Sequence, residues 1–238
     1  MTNNLFIALK ENFLINFTTL FVTFTLNIVS NNLHAQKNTF FEGTVTYKIE
    51  YTPLKKDISV ERIEQAHGSK MTFTIKNGFT EKKYFTGSGK LLQTRIFNPN
   101  DNLNILYNYN SDTGFQYHPS INTFKTIEFT QLKDSVMDGI TLEGIKVKVE
   151  PINNPHSYAM TFWYYFDRKL KVDPTKYEKF KEGDWDKVIA QKKSVCYYMA
   201  IDNGYSFIAT YKAVNISPHV VDSKIYNIPE KLFLKNVD

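Results

Sequence analysis

The segment Ala159–Phe166 (AMTFWYYF) constrains this chain more than any other. A strand points alternate side chains to opposite faces, and here both faces are aromatic. Trp163 and Tyr165 share one face, while Phe162, Tyr164 and Phe166 share the other. A strand that is apolar on both sides has to lie beneath something. The residues that follow supply the expected cover. Asp173 can cap a helix beginning at Pro174, with Tyr177 and Phe180 three apart on one face. Gly183 fits a helix stop, and Asp184 opens a second short helix carrying Trp185, Val188 and Ile189 at helical spacing. The segment Asp173–Gln191 is therefore expected to shield the aromatic strand.

Elsewhere the pattern is strand and turn. In Gly43–Tyr51 the residues Val45, Tyr47, Ile49 and Tyr51 alternate with Thr44, Thr46, Lys48 and Glu50, as in a half-buried strand. Pro53 ends it. Asp57–Ser69 fits either a weak helix capped by Asp57 or an irregular loop. Between Lys70 and Leu132 strands are expected at Met71–Lys76, Thr80–Thr86, Lys90–Phe97, Asn102–Tyr109 and Thr123–Leu132. The breaks, such as Asn77-Gly78 and Ser111-Asp112-Thr113-Gly114, are turn chemistry. Connections this short predict sequential antiparallel neighbours. Asp138-Gly139 then precedes the alternating strand Leu142–Glu150. The strands Ser194–Asp202 and Tyr205–Ile216 flank Asp202-Asn203-Gly204, a hairpin signal, and Lys224–Leu234 is a last apolar piece. A mainly β (α+β) chain with a curved antiparallel sheet and a short helical cover accounts for this order.

The N-terminus reads as a leader. Phe13–Val29 is an apolar run interrupted by Asn16 and Asn27, followed by polar Ser30-Asn31-Asn32 and the small-residue pattern Leu33-His34-Ala35. A spanning helix needs about 20 mostly apolar residues, and this run is shorter and more polar. A secretory signal over residues 1–35, cleaved after Ala35 or Gln36, is expected. The weakly charged start, Lys10 beside Glu11, leaves an uncleaved anchor as the other reading. Residues 36–238 would then form a single domain with no transmembrane segment. The single cysteine, Cys196, excludes an internal disulfide, and no cysteine follows the leader to take a lipid. An exported chain without disulfides points to the periplasm or cell envelope of a Gram-negative bacterium. The formal net charge of +5 is spread along the chain, which fits a solvated surface first and attraction to anionic lipid surfaces second.

Several segments carry a family resemblance. They are Phe41-Glu42-Gly43-Thr44-Val45-Thr46-Tyr47, Gly139 to Gly144 before an alternating strand, Phe162-Trp163-Tyr164 followed by Pro174, and Tyr211-Lys212-Ala213-Val214 with Tyr226-Asn227-Ile228-Pro229. Together they resemble exported Bacteroidota proteins of unassigned function, which look like distant members of the superfamily of the periplasmic lipoprotein carriers LolA and LolB. The resemblance spans nearly all of residues 36–238. It implies a strongly curved antiparallel sheet forming an incomplete barrel, with short helices covering the concave face. It brings no catalytic residue with it.

Chemical motifs are sparse. Thr86-Gly87-Ser88-Gly89-Lys90-Leu91 lacks the first Gly and the final Ser or Thr of a phosphate loop, so it reads as a hairpin turn. His67, His118, His156 and His219 have no second His or Cys at metal-ligand spacing. No Ser sits in a strand–turn–helix elbow, and Cys196, in the apolar SVCYYMAI run, reads as a small buried hydrophobe. The expectation is therefore no enzyme, no metal, no cofactor and no nucleic-acid partner. The lysines of Arg168–Lys193 read as a wet helical face or as a rim that meets an acidic envelope partner.

Aromatics make up 15% of the residues. They either fill an ordinary core or wall an apolar cavity between sheet and helices, lined by Phe73, Tyr107, Trp163, Tyr165, Tyr177, Phe180 and Trp185. The first reading makes the chain a structural or interaction protein of the envelope. The second makes it a binding or carrier module for an apolar or amphipathic, lipid-like ligand. The aromatic content alone leans to the first, and the two-faced strand Ala159–Phe166 under its cover, with the resemblance, puts the second forward.

Overall fold

The architecture follows from turn chemistry and from one long crossing of the chain. The computed structural model describes residues 40–152 and 158–237; the expected leader and His156 lie outside them. The first half runs β1 (Gly43–Pro53), α1 (Val60–His67), β2 (Lys70–Lys76), β3 (Phe79–Phe85), β4 (Leu91–Asn98), β5 (Leu103–Asn108) and β6 (Thr113–Tyr117). The second runs β7 (Phe124–Gln131), β8 (Ser135–Met137), β9 (Ile140–Pro151), β10 (Met160–Lys171), α2 (Trp185–Lys192), β11 (Ser194–Asp202), β12 (Phe207–Pro218) and β13 (Phe233–Asn236). Among the described residues these thirteen strands make one sheet, ordered β13-β6-β5-β4-β3-β2-β1-β12-β11-β10-β9-β7, with β8 also on β9. Each pairing is antiparallel except the parallel pair of β13 with β6.

Two-residue turns set the registers. Asn77 and Gly78 both have positive φ (50° and 83°), as do Asp138 and Gly139 (50° and 76°). These are the conformations a twist-matched hairpin turn requires. The first joins β2 to β3 and places Phe73 opposite Lys82. The second joins β8 to β9.

The expected run of sequential neighbours from Lys70 to Leu132 holds only as far as β5. The segment read as a turn at Ser111–Gly114 passes into an unforeseen strand, β6. The chain then leaves that edge altogether, and β7 pairs with β9 at the opposite edge. This crossing measures the curvature. A flat sheet would put β6 and β7 ten strand spacings apart, about 48 Å at roughly 4.8 Å each. The link 118–123 allows seven residue steps, about 25 Å at full extension. The sheet must bend until its edges approach, without closing. The incomplete barrel expected above is the shape that results.

The helical cover is shorter than expected. Pro174–Tyr177 and Glu182–Asp184 are 3-10 turns, and only α2 is an α-helix. Asp173 caps the first turn, its carboxylate accepting from the Thr175 N–H at 3.0 Å. Asp184 does not cap α2. It sits at φ 57° and its buried carboxylate instead accepts from the Thr126 hydroxyl and from Lys187 Nζ, the latter at 3.1 Å. In the ambiguous Asp57–Ser69 stretch, α1 forms and Ser59, not Asp57, accepts the capping bond from Arg62 N.

Most buried side chains lie between the sheet and this cover. Val45, Tyr47 and Ile49 of β1, Ile145, Val147 and Val149 of β9, and Val188 of α2 all belong to one core cluster and are 2% exposed or less. The other face carries a smaller apolar layer. There Ile96 and Ile105 are buried outside the main cluster. The C-terminal segment runs along that side: Tyr226 stacks near Phe79 at 5.4 Å, and Leu232 and Leu234 close over Gly114.

Candidate functional site

A cavity of about 710 Å³ remains between the curved sheet and the cover, within the roughly 300–1,000 Å³ typical of ligand pockets. The pleat decides its walls. Alternate residues of paired strands fall in rows across the sheet, so Phe73, Lys82, Arg95 and Leu106 form one row and Ile75, Thr80, Phe97 and Asn104 the next. From the other half come Phe162 and Tyr164 of β10, Met199 of β11 and Tyr211 of β12. Tyr177, Phe180 and Trp185 close the cavity from the cover.

Aromatic contacts hold the cover down. Phe97 stacks with Tyr177 at 5.8 Å and meets Phe180 edge-on at 5.0 Å. Trp185 meets Tyr164 edge-on at 5.5 Å. Each such pair contributes about 0.5–1.5 kcal/mol beyond the area it buries. Polar ties fix the ends. The Lys181 and Glu182 N–H groups donate to Pro119 O in the crossing link, and Asn102 Nδ2 donates to Lys179 O. At the far end Lys192 Nζ, nearly fully buried, donates to Glu143 Oε2 at 3.1 Å and Gln131 Oε1 at 2.8 Å.

Of the residues expected to line a cavity, Phe73, Tyr177, Phe180 and Trp185 do so, and Tyr107, Trp163 and Tyr165 do not. The correction is one of face. Phe162 and Tyr164 line the cavity, so Trp163 and Tyr165, their alternates, point outward. Tyr165 lies over Gly144 and meets Tyr198 at 6.0 Å. Trp163 sits between Lys146 and Ala200 on the same outer face. Tyr107 pairs with Gly114 on the side where Leu232 and Leu234 approach.

The polar lining escaped the sequence reading. Lys82 Nζ lies 5.2 Å from the Phe73 ring centroid, and the carboxylates of the described residues form their ion pairs with other cations. Burial first, then the Arg95 charge, push the Lys82 ammonium down to about 8, against weaker opposing pulls from Glu182 and Cys196. Arg95 sits directly across from Lys82, its Nε donating to Gln93 Oε1 at 2.7 Å and its guanidinium over Tyr84. Glu182, also in the lining, accepts from the Tyr117 hydroxyl at 3.2 Å. Burial raises the hydroxyls of Tyr84, Tyr164, Tyr177 and Tyr211, which keeps them neutral donors. Cys196 borders the cavity with its thiol pushed up to about 12 by burial, donating to Tyr198 O at 3.0 Å.

The remaining candidates are accounted for by local contacts. His118 Nδ1 lies 3.1 Å from Asn102 O and His219 Nδ1 2.9 Å from Ser217 O. The Thr86–Lys90 segment is the β3–β4 turn. Arg168, Lys181, Lys187 and Lys192 of the basic segment are all ion-paired. Among the described residues no group of three or more His, Cys, Asp or Glu side chains is placed to hold a metal ion, and no helix is long and apolar enough to cross a membrane.

Fold and cavity together define a class: a curved, unclosed sheet whose concave face holds an aromatic-walled cavity under a short cover. No protein-family model matches the chain, and no curated protein matches it. Among solved structures it is similar to the Mycobacterium tuberculosis lipoprotein LppX, at a TM-score of 0.33 and 7% identity, over 80% of this chain and 96% of that one. Likeness at that level does not extend to what either protein binds.

Proposed function

We propose that the chain is a non-catalytic binding or carrier module of the periplasm or cell envelope, sheltering an apolar or amphipathic, lipid-like ligand. The observation that carries this reading is the cavity of about 710 Å³ walled by Phe73, Phe162, Tyr164, Phe180 and Trp185. Pockets of this make-up gain affinity from apolar lining, with few polar groups setting orientation. A core filled by its own side chains, the other expectation, leaves no such space. Burial raises the Cys196 thiol pKa, which argues against Cys196 as a nucleophile, since the attacking species would be the thiolate.

The two tryptophans provide the test, because Trp185 lines the cavity and Trp163 faces away. A bromine-labelled long-chain alcohol, which quenches indole on contact, is added to Trp163→Phe and to Trp185→Phe. Saturable quenching is expected where Trp185 remains, and several-fold weaker quenching where only Trp163 remains. Equal quenching in both, or none that saturates, would overturn the assignment.

A further inference from the structure

Resting on the cavity reading above, we infer that the ligand carries one anionic headgroup, of carboxylate type, held between Lys82 and Arg95. Three observations converge on this pair. Both side chains line the cavity and sit directly opposite one another on neighbouring strands, where side chains are about 4.5–5.5 Å apart at Cβ. Arg95 is exposed and Lys82 half-buried, and from Cβ atoms that close the two long side chains can converge on one anion. Secondly, among the described residues Lys82 forms no ion pair, and its ammonium lies 5.2 Å from the Phe73 ring centroid. It is surrounded by protein yet keeps free surface, because that surface forms part of the cavity wall. Thirdly, the charges in the lining do not balance. Lys82 and Arg95 face one carboxylate, Glu182, which already accepts from Tyr117. His67, the other titratable cation there, is pushed below its ordinary value by burial and by Arg95.

An ammonium without a counter-ion in an apolar cavity opposes folding, whereas a bound carboxylate would convert that cost into affinity. The guanidinium offers a planar, always-charged fork and the ammonium a compact point charge, a combination that suits a headgroup oxygen pair. The apolar lining beyond them, including Ile75, Phe97, Phe162 and Tyr164, suits an alkyl chain. A long-chain fatty acid, or another single-headed anionic amphiphile, is the class of ligand defined.

The depressed Lys82 pKa gives the site a signature. Below about pH 8 the ammonium is charged and attracts the anion; above it the attraction fades while Arg95 remains. The charged and titratable groups that line the cavity with Lys82 are Arg95, His67, Glu182, Cys196 and the tyrosines Tyr47, Tyr84, Tyr117, Tyr164, Tyr177 and Tyr211, and of these only Glu182 is a carboxylate.

The test compares oleate with oleyl alcohol, matched in chain and differing in charge, by calorimetry on the lipid-stripped chain. At pH 7 oleate should bind about ten- to a hundred-fold more tightly, the range expected of a charge-assisted hydrogen bond. Lys82→Met and Arg95→Gln should each shrink that preference and leave oleyl alcohol affinity within about two-fold. Raising the pH from 7 to 9.5 in the unmodified chain should weaken oleate alone, a result that needs no variant to fold. Equal affinity for both probes, or a preference that survives both substitutions, would overturn the anionic headgroup while leaving the apolar cavity standing. Binding of neither probe would overturn both. Acetate competing as strongly as oleate would make this a plain anion site and refute the amphiphile.

Discussion

Lys82 is the residue whose placement most needs explaining. Its pKa in the folded chain is about 8, against about 10.4 for an unperturbed lysine. Between those values the unfolded chain holds more protons, so stability rises with pH. Below pH 8 the full penalty for the buried charge is present, and above about 10.4 it is gone. Lys82→Met should therefore raise the melting temperature of the ligand-free chain at pH 7, and the gain should narrow as the pH approaches 10. A variant less stable than the parent at pH 7 would show that the ammonium is better compensated than its contacts indicate. Such a trade of stability for function is common at binding sites. The residue escaped the sequence reading because alternation reads a lysine as wet, although turn chemistry carried a signal for it. A two-residue turn at Asn77-Gly78 fixes cross-strand partners, and counting out from it puts Lys82 opposite Phe73. The same rule places Arg95 next in the row. Trp163 and Tyr165 were misread for a related reason. A strand aromatic on both faces does not say which face is concave, and only Gly144 beneath Tyr165 marks the outer one.

At the scale of elements, the tip of the β2–β3 hairpin meets the cover where Gly78 lies against the Lys176 side chain. A Cβ on Gly78 would lie 2.4 Å from the Lys176 Cβ. Gly78 also has a φ of +83°, which costs a side-chain-bearing residue about 1–2 kcal/mol. Gly139 has the matching conformation, φ +76°, with open space around it. Gly139→Ala thus reads the backbone strain alone, and Gly78→Ala reads strain plus displacement of the cover. The second should cost more stability in denaturant unfolding and should speed amide exchange across Pro174–Lys192. Equal costs with unchanged exchange would mean the hairpin tip does not brace the cover. The existence of a cover was readable from Asp173-Pro174 and the aromatic spacing. Its fine structure was not, because Gly183 and Asp184 both take positive φ and break the helix into turns, and because the Asp184 carboxylate is drawn to Thr126 on β7 and to Lys187 in the first turn of α2.

The whole molecule depends on how far the sheet bends, and that was the least legible property. Every strand but β6 and the short β8 and β13 was marked by alternation or turn residues. The crossing from β6 to β7 was not, since six ordinary loop residues look the same whether they join neighbours or opposite edges. Curvature creates the concavity, the short cover only partly fills it, and the remainder is the cavity. The claim that this space holds a lipid-like ligand is met most directly by native mass spectrometry of the full-length chain, expressed in a bacterial host and purified without detergent. The expected spectrum shows an excess mass that disappears on denaturation and that an organic extract identifies as an anionic amphiphile. A bare protein mass as recovered, and again after incubation with oleate and with oleyl alcohol, would contradict the account.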